Sequence, residues 1–218
     1  MRISNYALIV SFFPIIIPRP AHSLISMSTK RKASTTSDDV IICAKSVKSG
    51  TIDLLDTNCQ KWLMKSEAEG PQSYNINRLV AAENQTTPWE GVRNFQARNF
   101  MRSMKLGDLA FFYHSNFKKE TGIVGITVIT KEFYNDNSAQ DPQSDYYDPK
   151  SVDNNRWSVV DVTLIQKLQT PILLTQLKED SKLQDMDLLK KGNRLSVQKV
   201  TDEHWNHILR QYVMEEDK

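Results

Sequence analysis

Two β-forming runs separated by a short loop constrain this chain most. Residues 109–114 read Leu-Ala-Phe-Phe-Tyr-His, an apolar and aromatic strand. Gly107-Asp108 turns the chain into it, and Ser115-Asn116 ends it. Residues 117–122 read as a hairpin-like loop, and 123–134 as the next strand, with Val124, Ile126 and Val128 on one face. Gly122 and Gly125 suit a bend or a close approach of backbone. Such a pair commits the chain to a sheet, so the remaining segments are read by how they join or cover it.

Three more runs alternate as strands. Residues 60–66 place Trp62 and Met64 on one face and Lys61, Leu63 and Lys65 on the other. In 157–168, Val160, Val162 and Leu164 alternate, and 195–200 is the last. Helices are expected over 75–82, with Ile76, Leu79 and Val80 inward, and from Phe95 onward. Pro171 suits the first turn of a helix through Lys178, and 183–189 is short and helical or irregular. Thr201 caps a helix over 202–213 carrying Trp205, Ile208 and Leu209, with acids in the first turn to match the helix dipole. Residues 85–88 read as a loop. Five strands with short flanking helices predict an α+β domain on a small, mostly antiparallel β-barrel. Trp62 and Trp157, inside alternating strands, are expected in the core.

Composition narrows the chemistry. With 218 residues and a formal net charge of +2, the chain is no strongly basic nucleic-acid coat, although a local basic cleft is allowed. Cys43 and Cys59 form no C-x-x-C pair, and the four histidines form no H-E-x-x-H motif. The Asp-rich residues 135–155 lack the glycine and closing glutamate of an EF-hand loop. Neither a metal nor a cofactor is expected. A hydrolase using His114, Ser115 and Glu67 is the enzymatic alternative. It is disfavoured because strand neighbours point to opposite faces and no G-x-S-x-G elbow is present.

Residues 1–59 carry no sustained core pattern. The apolar run 7–17 is broken by Pro14 and is too short to span a bilayer. It fits a secretory-type apolar region, an organelle presequence with no acid before Asp38, or an extension upstream of a start at Met27. Lys30-Arg31-Lys32 reads as a nuclear-import signal or a solvated basic tail, and the Ser/Thr-rich stretch to Ser37 favours disorder. The expected organisation is a disordered or targeting extension over 1–59, a folded domain over 60–214 and an acidic tail over 215–218. The expected location is the nucleus, or the mitochondrion if the extension is a presequence. No membrane partner is expected, and a single-copy protein is.

The densest chemistry is Trp89-Glu-Gly-Val-Arg-Asn-Phe-Gln-Ala-Arg-Asn-Phe-Met-Arg102, with three arginines and three side-chain amides in fourteen positions. Asn94 can cap a helix starting at Phe95. Ala97, Phe100, Met101 and Met104 then share one apolar face, while Arg98 and Arg102 stand at i, i+4 on another. Unpaired like charges there weaken the helix by a few tenths of a kcal/mol, which local carboxylates or a phosphate would relieve.

This stretch, with Trp62-Leu-Met-Lys-Ser-Glu67, Gly107-Asp-Leu-Ala-Phe-Phe-Tyr-His-Ser115, Tyr146-Tyr-Asp-Pro149, Arg156-Trp157 and Leu195-Ser-Val-Gln198, resembles the EVE domain family over about residues 60–211. Ala68 and Asn155 stand where that family usually has proline, and Phe117 where cysteine is common. The resemblance implies a PUA-like barrel related to the YTH domain, which reads methylated adenine in RNA. It also implies a non-enzymatic reader of modified bases, chiefly modified cytosine in DNA, with modified RNA the alternative.

A methyl or hydroxymethyl group changes affinity by only about 1–3 kcal/mol in a closed pocket, so the base must flip out or be single-stranded. Trp89 and Tyr113 are the expected stacking faces. Lys65, Ser66 and Glu67 at one strand end, and His114 and Ser115 at another, are the expected polar walls. Glu67 could accept from an exocyclic amine. Gly91, Val92 and Asn94 border the expected pocket, Gln96 and Asn99 could also read base edges, and Ser196 and Gln198 close its floor. Arg93, Arg98 and Arg102 are expected on phosphates. Residues 146–149 should anchor the long 135–155 connection.

Overall fold

The computed structural model describes residues 54–55, 58–70, 73–117 and 120–214. The expectations for the apolar run, the basic cluster and the acidic tail lie outside these residues. The strands are β1 (Lys61–Glu67), β2 (Thr86–Pro88), β3 (Leu109–Ser115), β4 (Gly122–Asn135), β5 (Ser158–Leu173) and β6 (Val197–Val200). They form one sheet in the order β2-β5-β4-β3-β1-β6. Only β1 and β3 pair in parallel; the other ladders are antiparallel. The helices are α1 (Ile76–Ala81), α2 (Phe95–Ser103), α3 (Leu174–Glu179) and α4 (Asp202–Ile208), the last continuing as a wider π-type turn over Leu209–Val213.

The α+β class and the mostly antiparallel sheet are as expected, but the sheet does not close. Closure needs every strand paired on both sides, and among the described residues no ladder joins β2 to β6. These two strands have three and four residues, too few to carry a closing ladder.

Alternation sorts the side chains. Trp62 and Met64 of β1, Ala110 and Phe112 of β3, and Val160, Val162 and Leu164 of β5 share one apolar cluster with Ile76, Leu79, Ala97, Met101 and Met104. On the opposite face, Phe111 stacks on Trp205 of α4 with centroids 3.9 Å apart. Asp108 locks the start of the sheet: its carboxylate accepts from Gln60 N, Trp62 Nε1 and Lys105 N at 2.9–3.0 Å. The capping expectations hold. Asn94 accepts from Gln96 N and Ala97 N, and Thr201 accepts from His204 N.

Three local readings need correction. Val80, expected inward, is exposed on α1, whose buried residues are Ile76 and Leu79. Residues 86–88 are a strand rather than a loop, because they pair with Thr163, Val162 and Asp161 of β5. Pro171 opens no helix. It lies near the end of β5, between Lys167 and Ile172, where the β4–β5 register shifts and tolerates a residue without an N–H. The helix follows only at Leu174.

Candidate nucleic-acid interface

The end of β1, the lead into β6, the segment around α1, the β2–α2 connection and residues 143–146 border a half-open cavity of about 640 Å³, a size that admits a small organic ligand. Backbone bonds set its frame. Lys65 N donates to Ser196 O at 2.7 Å, and Tyr74 N to Glu67 O at 2.9 Å. Ser66 Oγ donates to Tyr74 O at 2.6 Å. Trp89 N donates to Val160 O at 2.8 Å, carrying the β2–β5 pairing one residue beyond Pro88.

Trp89 is 8% exposed and packs edge-on against Phe112 with centroids 5.2 Å apart. It is therefore both core and cavity wall. Tyr74 and Tyr146 supply the other aromatic surfaces. Gly91 explains how Tyr146 comes so close: its φ is +79°, and a Cβ there would lie 2.6–2.8 Å from the Tyr146 ring. Gly91 N donates to Asp136 Oδ2, and Arg93 Nη1 donates to the same oxygen at 2.7 Å. Arg93 Nε also donates to Tyr146 O at 2.8 Å. One arginine thus ties the β2–α2 connection to the residue 136–146 loop.

Charges of both signs border the cavity. Burial lowers the Lys65 ammonium pKa. Burial, then the charge of Asp136, raises that of Glu90. Burial first, then Glu90, Glu67 and Asp145, raises the Tyr146 phenol. Such walls suit a neutral planar ligand that presents both donors and acceptors.

Of the expected pocket residues, Lys65, Ser66, Glu67, Trp89, Gly91, Val92 and Ser196 line the cavity, as does Arg93. The remainder lie elsewhere. Tyr113 is on the Phe111 face, 3% exposed, with its phenol pushed up to about 12 by burial. A one-residue step along a strand reverses the side-chain direction, so Tyr113 cannot face Trp89. His114 is buried edge-on to Phe112, and its Nε2 accepts from Ile76 N at 3.0 Å. Burial lowers its pKa to about 4. Ser115 Oγ donates to Ser66 O, so His114 and Ser115 serve backbone groups and not each other. Gln198 is 2% exposed and donates to Leu195 O. Asn94 is committed to its cap. The Asn99 carbonyl oxygen accepts from Arg98, and Gln96 is exposed on α2 away from the cavity lining.

Arg93, expected on phosphates, has its guanidinium paired with the fully buried Asp136. Arg98 and Arg102 project from α2 outside the cavity. Arg98 Nη1 donates to Arg156 O, and Arg102 Nε to Ser158 Oγ. Neither makes an ion pair with a carboxylate among the described residues. The 146–149 segment anchors its loop as expected. Asp148 Oδ2 accepts from Arg156 Nη2 and Trp157 Nε1, both at 2.7 Å, and these bonds hold its carboxyl well below the usual range. The sequence reading missed Tyr74, Arg78, Glu90 and Tyr146 as cavity residues. The Tyr-Tyr pair at 146–147 was the available signal, since a large aromatic on a long polar loop needs somewhere to pack. Among the described residues, no cluster of His, Cys, Asp and Glu is placed to hold a metal, and no helix is long and apolar enough to cross a membrane.

Residues 60–211 match the EVE domain. Thymocyte nuclear protein 1 of Gallus gallus is 42% identical over 190 residues, 80% of this chain and 76% of that protein. The Homo sapiens protein of that name is 42% identical over 176 residues, 74% and 77% respectively. Among solved structures, human THYN1 in complex with 5-methylcytosine-containing DNA superposes with a TM-score of 0.66 at 42% identity, covering 69% of this chain and 96% of that one. A Pseudomonas putida protein gives 0.63 at 44% identity, covering 69% and 97%. With its fourteen-residue Trp89–Arg102 motif inside the matched span, this chain belongs to the EVE domain family.

Proposed function

We propose that this chain is a non-enzymatic reader of DNA bearing a modified cytosine, and that it holds the flipped base in the cavity beside Trp89. The observation that carries this reading is the joint make-up of the walls. Trp89, Tyr74 and Tyr146 offer aromatic surfaces, while Lys65, Ser66, Glu67 and Ser196 offer donors and acceptors. Stacking contributes about 1–3 kcal/mol per base, and Glu67 or Glu90 suits the exocyclic amine of cytosine. Arg98 and Arg102, paired with no carboxylate among the described residues, serve the phosphates. The complex of human THYN1 with 5-methylcytosine-containing DNA makes DNA the first partner to test and 5-methylcytosine the first base, with 5-hydroxymethylcytosine next. Residues 60–214 act as the folded unit, as a single copy and in the nucleus, in keeping with the name of the relatives.

The test is a titration panel at fixed salt, with DNA and RNA oligonucleotides carrying cytosine, 5-methylcytosine, 5-hydroxymethylcytosine or N6-methyladenine at one position. Tighter binding of a modified cytosine in DNA is expected. Equal affinity across the panel would overturn the reading, and turnover of any oligonucleotide would overturn its non-enzymatic part.

A further inference from the structure

Beside the cavity stands a surface that the base pocket does not use. Phe95, the first residue of α2, is 50% exposed. Its inner face stacks on the buried Trp157 with centroids 4.9 Å apart and planes 21° apart. The guanidinium carbons of Arg98 and Arg156 lie 4.8 and 5.7 Å from the Phe95 centroid. The same atoms lie 6.0 and 5.9 Å from the Trp157 centroid. A cation capping the outer face of Phe95 would stand far further from Trp157, so both guanidiniums flank the edges of the stack. That leaves a flat aromatic face open to solvent with a cation on its rim.

Charge and position select the occupant. Arg98, Arg102 and Arg156 crowd one another, and the first has its pKa lowered by burial and then by the other two charges. The carboxylate that meets this group is Asp148, shared between Arg156 and the Trp157 indole. Arg156 Nε is buried and has no hydrogen-bond partner among the described residues. Arg93 links this surface to the cavity: its guanidinium carbon lies 5.7 Å from the centroid of Tyr146, a cavity wall, and 5.5 Å from that of Trp157. An aromatic face ringed by cations matches a nucleobase attached to phosphate, because the ring stacks the base and the guanidiniums take the anion.

We infer that Phe95, backed by Trp157 and flanked by Arg98 and Arg156, is a second stacking place, and that it receives the unpaired base next to the one held in the cavity. This rests on the reading of the cavity as a nucleobase pocket. Phe95 leads with its face, so it accepts any base and contributes affinity rather than choice. It also takes up the base exposed when its neighbour leaves the stack.

The test uses the full chain and single-stranded DNA with one 5-methylcytosine, flanked either by natural nucleotides or by abasic residues. Phe95→Ala is expected to weaken binding of the natural oligonucleotide about tenfold and that of the abasic one less than twofold. Phe95→Leu, which still covers Trp157 but offers no aromatic face, should behave alike, and Phe95→Trp should retain affinity. Equal losses on both oligonucleotides, or none on either, would overturn the inference. The cavity reading is scored separately, by the preference of the unsubstituted chain for 5-methylcytosine over cytosine. Loss of that preference with the Phe95 effect intact refutes the pocket assignment and supports the stacking surface.

Discussion

Replacing Gly91 by alanine isolates the contact that shapes the cavity. Two costs add. The backbone there has φ +79°, and a β-carbon in the left-handed region costs about 1–2 kcal/mol. The new methyl would also sit 2.6 Å from a Tyr146 ring carbon, well inside van der Waals contact, so the ring must leave. Gly192 is the internal control, with φ +81° and nothing within 4 Å of where its methyl would lie; Gly192→Ala carries the first cost alone. Thermal melts should place Gly192→Ala about 2–8 °C below the parent and Gly91→Ala several degrees lower still, using about 2–4 °C per kcal/mol for a chain of this size. Binding separates them more sharply. Losing the Tyr146 wall should weaken the preferred oligonucleotide by about 1–3 kcal/mol, whereas Gly192→Ala should bind as the parent does. Adding Tyr146→Ala to Gly91→Ala should relieve the second cost in the melt. Equal melting temperatures and equal affinities for the two alanine variants would show that Tyr146 does not rest on Gly91.

Trp89→Ala and Trp157→Ala should each cost about 3–5 kcal/mol of stability in denaturant titrations, since they retain only 8% and 5% exposure; only Trp89→Ala should also abolish the preference for a modified base, and an intact preference would remove it from the wall. His114 has its pKa lowered from 6.5 to about 4 by burial, so the unfolded chain takes up the proton first. Its contribution is full above pH 6.5 and is lost as pH falls toward 4, about 3 kcal/mol in all; urea midpoints between pH 7 and 4.5 should show this slope, and His114→Gln should flatten it. Arg98→Ala and Arg102→Ala should weaken modified and unmodified oligonucleotides alike and lower the salt slope by about one each; selective loss of the modification preference would contradict a phosphate role.

Where an interaction is local, the residues announce it. Asn94 caps α2 because an amide side chain stands just before a helical run, and Val160, Val162 and Leu164 alternate into the core. The cavity residues of β1 were likewise legible, because Lys65, Ser66 and Glu67 form a polar end to an apolar strand. Tyr113 shows where that reasoning stops. In a run such as Leu-Ala-Phe-Phe-Tyr-His both faces are apolar, so the sequence leaves open which face looks toward Trp89, and one step of parity exchanges Phe112 for Tyr113. For Tyr146 the need to pack was legible and the place was not. Its place over Gly91 depends on Arg93 and Asp136 meeting across more than forty residues, and spacing carries no trace of such a meeting. The open sheet was missed because β2 has too few residues to alternate visibly.

That opening has a meaning for how the molecule responds to a ligand. Thr87 and Pro88 come from one edge strand and Ser196 leads into the other, and all three border the cavity. The gap that a closing ladder would have filled is thus where the cavity lies, the place that the proposed function gives to the base. Exposed edges invite pairing with other chains, and short strands, proline and lysine discourage it; here β2 ends in Pro88 and β6 carries the exposed Lys199. A guest in the cavity therefore acts as a keystone, spanning two rims that the polypeptide itself leaves unjoined. The slowing of amide exchange on binding should then reach both edge strands and not only the residues that touch the guest.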